Sequence, residues 1–210
     1  PRVRSLLIAT FIAGGSACSG VRESQFRPEG PMSPRLLPLQ VHIVDLNVYR
    51  GEASLGGAAL GEMTRQRTQD RAEETRLLIK RDLQENVFGS ADRPAGHISF
   101  KVARKQGLQQ WWAIPTGFSL LTMNLLGLPF NAYTTKVTMD VRVLDRSFQE
   151  IARYDASGES TAYIALYWGY SPDASTQVSL IDATKLALKA MKGQLQAATP
   201  GLNARLARQG

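Results

Sequence analysis

From Val137 to Val143 the chain alternates apolar and polar side chains without a break: Val137, Met139, Val141 and Val143 against Thr138, Asp140 and Arg142. A period of two puts the four apolar groups on one side of an extended strand and the polar ones on the other. Such a strand is stable only in a sheet with one covered and one wetted face, the habit of antiparallel sheets. The rest of the sequence must therefore supply neighbouring strands and a cover for one face.

Other segments fit that demand. Val41 to Tyr49 reads as the first strand, with Val44, Leu46 and Val48 on one face and Asp45, Asn47 and Tyr49 on the other. Ile98, Phe100 and Val102 give a second alternation, with Lys101, Arg104 and Lys105 close by. After a turn at Asp145 to Glu150, a return strand starts at Ile151 to Tyr154. A further run from Ser160 to Trp168 carries Ala162, Ile164, Leu166 and Trp168 on one face.

Two helices are predicted as the cover. Met63 to about Phe88 interleaves charges with an apolar face of Leu77, Leu78, Ile79, Leu83 and Val87, and Gly89 lies where a helix stop is expected. Ala174 to Gln196 repeats Val178, Ile181, Leu188, Met191 and Leu195 at helical spacing behind a Ser171-Pro172-Asp173 cap, with Lys185, Lys189 and Lys192 assigned to its polar side. Thr199 to Gly210 reads as a frayed basic tail. The expected fold is α+β: a mostly antiparallel sheet with the long helix and the C-terminal helix packed on one face, plus an apolar insertion between strands.

That insertion is the most unusual stretch. Residues 106–135 are thirty in a row without a formal charge, and Trp111 to Phe130 is strongly apolar. Pro115, Pro129 and three glycines argue against a membrane-spanning helix, because the backbone groups they free would stay unpaired in lipid. Three readings stand: part of the core, an exposed surface for a partner or a second copy, or a segment dipping into a membrane with Trp111 and Trp112 at the interface. The candidate interaction surface is Trp111, Trp112, Phe118, Leu121, Leu125, Leu128 and Phe130. The Gly- and Ala-rich stretch Gly51 to Gly61 follows no phosphate-binding spacing.

At the N-terminus, Arg2 and Arg4 precede an apolar run from Leu6 to Ala13, then Gly14-Gly15-Ser16-Ala17-Cys18. A basic start, an apolar run about half the ~20 residues needed to span a bilayer, and small residues before a cut are the parts of an export signal. Cys18 is the sole cysteine, so no disulfide can hold the core. Ser16-Ala17-Cys18 resembles the lipobox of bacterial lipoproteins, with Gly15 where that family usually has Leu. The resemblance implies cleavage before Cys18 and a diacylglycerol and an acyl chain such as palmitate on it. Ser19 after the cysteine looks like outer-membrane sorting in a Gram-negative bacterium, with the domain facing the periplasm. The implied organisation is a signal peptide at 1–17, a lipidated cysteine and flexible Pro-rich tether at 18–37, one domain at 38–198 and the tail at 199–210. The element order from about Pro38 to Gln196 also resembles small periplasmic domains of the curli-secretion-channel lipoprotein group, which implies rings or envelope complexes.

Signals for chemistry are thin. His42 and His97 read as hydrogen-bonded structural histidines, and Asp140 and Asp145 as solvated carboxylates. No nucleophile elbow, Walker loop or Rossmann fingerprint is present. The net charge of +7 is read as a solvated basic surface; in an exported chain it points to no nucleic acid. The expectation is a non-enzymatic, lipid-anchored envelope lipoprotein without metal or cofactor, acting through a protein partner or its own copies. The alternative is a lipid- or glycan-binding module that adds Tyr163, Tyr167, Trp168 and Tyr170 to the 111–130 stretch as an aromatic platform.

Overall fold

The computed structural model describes residues 30–50, 73, 75–89, 93–109, 129, 131–164 and 171–208. Four strands form one sheet in the order β1 (Leu39–Arg50), β2 (Gly96–Gln109), β3 (Asn131–Leu144) and β4 (Glu150–Ile164). Helix α1 (75–87) lies between β1 and β2 in sequence and ends in a π-helical turn, Leu83–Val87. Helix α2 (Pro172–Arg208) closes the chain. The fold is a mixed α+β arrangement. β2–β3 and β3–β4 are antiparallel and β1–β2 is parallel. A parallel pair needs a long crossover, and the segment containing α1 makes it.

The alternation in β3 sets the two faces. Val137, Met139, Val141 and Val143 are buried, and Ile98, Phe100 and Val102 of β2 join them. On β4, register places Gly158, Ala156, Tyr154 and Ala152 opposite that apolar row. Helix α2 lies directly over Gly158: a Cβ there would overlap the Ala183 carbonyl oxygen and come within 2.5 Å of the Ala187 nitrogen. Only glycine lets the helix backbone approach the strand so closely. The two strand segments read separately around Ile151 and Ser160 are one continuous strand, and Gly158 sits within it.

Strand β1 departs from its predicted faces. Val41 and Ile43 pack against the core, and Val44 is exposed. Pairing skips Asp45, so that Val44 stands opposite Lys101 while Leu46 and Val48 stand opposite Val102 and Arg104. A bulge adds one residue and reverses the parity beyond it, which unbroken period-two counting cannot capture.

Helix α2 starts as predicted, with Ser171 capping it: the Ala174 N–H donates to Ser171 Oγ at 3.3 Å. It does not stop near Gln196 but runs to Arg208 through Pro200, with Leu202 and Leu206 buried. The frayed tail is thus corrected. Burial of two leucines outweighs the hydrogen bond that Pro200 cannot donate. Lys192 is also corrected. It is buried, and its Nζ donates to Asp82 Oδ1 of α1 at 2.7 Å.

The stretch assigned to a flexible tether up to residue 37 is docked from Met32 onward. Met32 and Leu36 are buried, and the Met32 and Leu36 N–H groups donate to the carbonyls of Asn86 and Val87. Asn203 of α2 accepts from the Leu37 N–H at 2.9 Å and donates to the Arg35 carbonyl, and Gln196 donates to the Ser33 carbonyl.

Candidate functional site

The topology separates two ends of the sheet. Leu39, where the N-terminal segment reaches β1, pairs with Gly96 at the start of β2. Gln109, where the chain leaves β2 for the apolar stretch, pairs with Ala132 at the start of β3. β1 also ends, β4 also ends and α2 begins at this second end. Among the described residues there, the side chains point to Arg104 as the most unusual group.

Arg104 follows Ile98, Phe100 and Val102 in steps of two and therefore shares their covered face. It is 2% exposed, and its Nε and Nη2 have no hydrogen-bond partner among the described residues. Burial pushes its pKa down to about 10, which still leaves it charged at neutral pH. Beside it, one step further along β2, Gln106 donates to Thr135 Oγ1 at 3.3 Å, and Thr135 in turn shares a 2.8 Å hydrogen bond with Ser179 of α2. A charged guanidinium therefore lies on the covered face of β2, two residues from the start of a short polar chain. In the sequence Arg104 stands with Lys101 and Lys105 just before the apolar stretch. The signal that separates it is parity, because Lys101 and Lys105 fall on the exposed face.

The opposite end holds both histidines. His42 Nε2 and His97 Nδ1 are 3.1 Å apart, so one nitrogen donates and the other accepts. Phe148 stacks on His97 at 4.1 Å, held with a φ of 62°. Burial first, and the proximity of His42 second, hold the His97 pKa below its ordinary value, with Asp145 opposing. Asp145 is not a solvated carboxylate. It is buried, and its Oδ1 accepts from the Ser147 N–H, the Ser147 hydroxyl and the Gln149 N–H at 2.7–2.8 Å. Those bonds, the Ser147 hydroxyl foremost, hold its pKa below the usual carboxylate range. With three donors of the turn on its Oδ1, Asp145 organises the β3–β4 connection.

On the open face, a depression of about 320 Å³ lies between Lys101, Thr138, Asp140, Asp155 and Ser157. Asp140 Oδ2 accepts from Arg153 at 2.9 Å and from Arg142 at 3.3 Å. This carboxylate too is a paired structural group, more enclosed than the solvated reading supposed.

Cys18 and the predicted surface residues Trp111, Trp112, Phe118, Leu121, Leu125, Leu128 and Phe130 lie outside the described residues. So do Tyr167, Trp168 and Tyr170, while Tyr163 is exposed on β4. Among the described residues no group of three or more His, Cys, Asp or Glu side chains is placed to hold a metal, and no helix is long and apolar enough to cross a membrane.

No protein-family model matches the chain, and no curated protein matches it. Among solved structures it is similar to a Caulobacter crescentus CB15 protein provisionally assigned as a lipoprotein: 14% identity, 80% of this chain and 90% of the other, TM-score 0.29. It is also similar to a Xanthomonas campestris protein of the family-model DUF330: 8% identity, 82% of this chain and 97% of the other, TM-score 0.32. Likenesses this distant leave the functional reading to rest on the chain's own residues.

Proposed function

We propose that the chain is a non-enzymatic lipoprotein of the cell envelope, anchored through a diacylglycerol on Cys18 in the outer membrane and facing the periplasm. Its domain engages an envelope protein or further copies of itself through the Trp111–Phe130 stretch. The observation that supports this reading is the placement of two chain crossings at opposite ends of one sheet. The segment that follows Cys18 arrives at the Leu39–Gly96 end, and the apolar stretch leaves and returns at the Gln109–Ala132 end. β2 has 14 residues between them, roughly 45 Å at about 3.3 Å per residue. An anchor at one end and an apolar contact at the other suit a molecule that holds a partner away from the membrane carrying it.

Crosslinking and pull-down of the full chain from intact cells tests this. Wild type should take up labelled palmitate, and Cys18→Ser should not. The double variant Trp111→Ser, Trp112→Ser should lose its crosslinked partner or its self-association while its melting temperature stays unchanged. A variant that keeps the crosslink would remove those tryptophans from the contact, and one that melts lower instead would place them in the core; either outcome sinks the reading.

A further inference from the structure

Arg104 carries an inference that is independent of the lipid anchor. The two nitrogens without partners, Nε and Nη2, are not an arbitrary pair. Their N–H bonds lie parallel along one edge of the planar guanidinium, the edge that meets two oxygens of a carboxylate or phosphate side by side. A buried cation whose two parallel donors both go unused is costly, because charge and donors alike have left water without replacement. No carboxylate among the described residues bonds to it. Surface arginines leave donors to solvent, but Arg104 is 98% buried by its 2% exposure and has no such outlet.

We propose that Arg104 is the core of an oxyanion-binding site on the helix-covered face of the sheet, taking the carboxylate or phosphate of a small ligand on its Nε–Nη2 edge. Gln106, two residues further along the same face of β2, begins a polar chain through Thr135 to Ser179 that borders the site. The bound group could come from an amphiphile or from free small anions, and the chemistry at Arg104 is the same in both.

Titration of the full-length chain, ¹⁵N-labelled, reads this directly. The Nε–H resonance of Arg104 is the one missing in Arg104→Met. It is followed while acetate, decanoate or inorganic phosphate is added at constant ionic strength against chloride. A saturable shift with decanoate alone assigns an amphiphile carboxylate, a shift with acetate as well assigns carboxylate recognition by the head group, and a shift with phosphate assigns a free phosphate. Arg104→Lys keeps the charge but loses the two-donor edge and should bind roughly tenfold more weakly or worse. If Arg104→Met fails to fold, Arg104→Lys supplies the assignment and the wild-type titration still decides. A wild-type resonance that no probe moves overturns the proposal, as does a titration followed at the backbone amides of Gln106 and Thr135 that has the same midpoint in Arg104→Lys as in wild type.

Discussion

Lys192 Nζ lies 2.7 Å from Asp82 Oδ1 although 110 residues of chain separate them, and both side chains are nearly excluded from water. Asn86 donates to the same oxygen at 2.7 Å. The pair ties the end of α1 to the middle of α2 inside the hydrophobic core. Removing one partner strands the other charge. Lys192→Ala or Asp82→Ala should each destabilise the domain by about 3–5 kcal/mol in equilibrium urea unfolding. The joint replacement Asp82→Leu, Lys192→Met should recover most of that loss. A single variant within 1 kcal/mol of wild type (roughly the value of an exposed pair) would show that the pair is not buried in solution.

Gly158 is where the backbones of β4 and α2 come close together. Gly158→Ala puts a methyl into the Ala183 carbonyl and against Ala187, and backbone cannot step aside as a flexible side chain can. The expected cost is about 1–3 kcal/mol, read as a fall in melting temperature, and Gly158→Val should cost more. An alanine variant that melts with wild type would mean α2 is free to lift from β4.

Leu206 tests the corrected C-terminus. It is 1% exposed, and its Cδ2 lies 3.1 Å from where a Cβ on Gly96 would stand. Leu206→Ala should cost about 2–5 kcal/mol, and truncation after Ala198 more. A frayed tail would tolerate both without a change in the unfolding midpoint.

His97 gives a pH dependence of definite sign. Its folded pKa lies below 6.5, so the unfolded chain binds the proton more readily. Stability from this group is intact above pH 6.5 and declines as pH falls below it, levelling off below the folded pKa. His97→Gln should flatten the curve between pH 7 and pH 5. Asp145 acts lower and in the same direction: its depressed pKa gives stability present above 3.8 and lost as pH falls through the folded value. Urea midpoints measured from pH 7 to pH 3 separate the two. An unchanged slope in His97→Gln would remove the histidine from the account.

Much of the scaffold is legible in side-chain periodicity. The faces of β3, the run Ile98–Phe100–Val102, the Ser171 cap and the end of α1 near Phe88 all follow from local chemistry. What periodicity misses is set by tertiary contact. The bulge at Asp45 reverses β1's parity and is specified by pairing with β2. Lys192 looks like one more solvated lysine until α1 brings Asp82 beside it. Pro200 and Gly201 signal a helix end that Leu202 and Leu206 override once they find the core. At the candidate site, parity alone singles out Arg104, but its unused donors appear only when the neighbouring elements are in place. The residues chosen from composition, Cys18 and the Trp111–Phe130 set, lie beyond the described parts, so the sheet fixes only where their segments begin and end.

The docked segment before β1 also sets a path for mechanical load. Tension reaching the domain through residues before Gly30 arrives at Ser33, Arg35 and Leu37, which hydrogen-bond to Gln196 and Asn203 of α2. A pull from that side therefore acts on the last helix as well as on the first strand. That helix is pinned to β4 at Gly158 and to α1 at Asp82, which spreads the force through the core. Asn203 works as one mooring cleat among several: Asn203→Ala releases Arg35 and Leu37 and shifts their share of the load to β1, an edge strand, and to the bonds at Ser33, Met32 and Leu36.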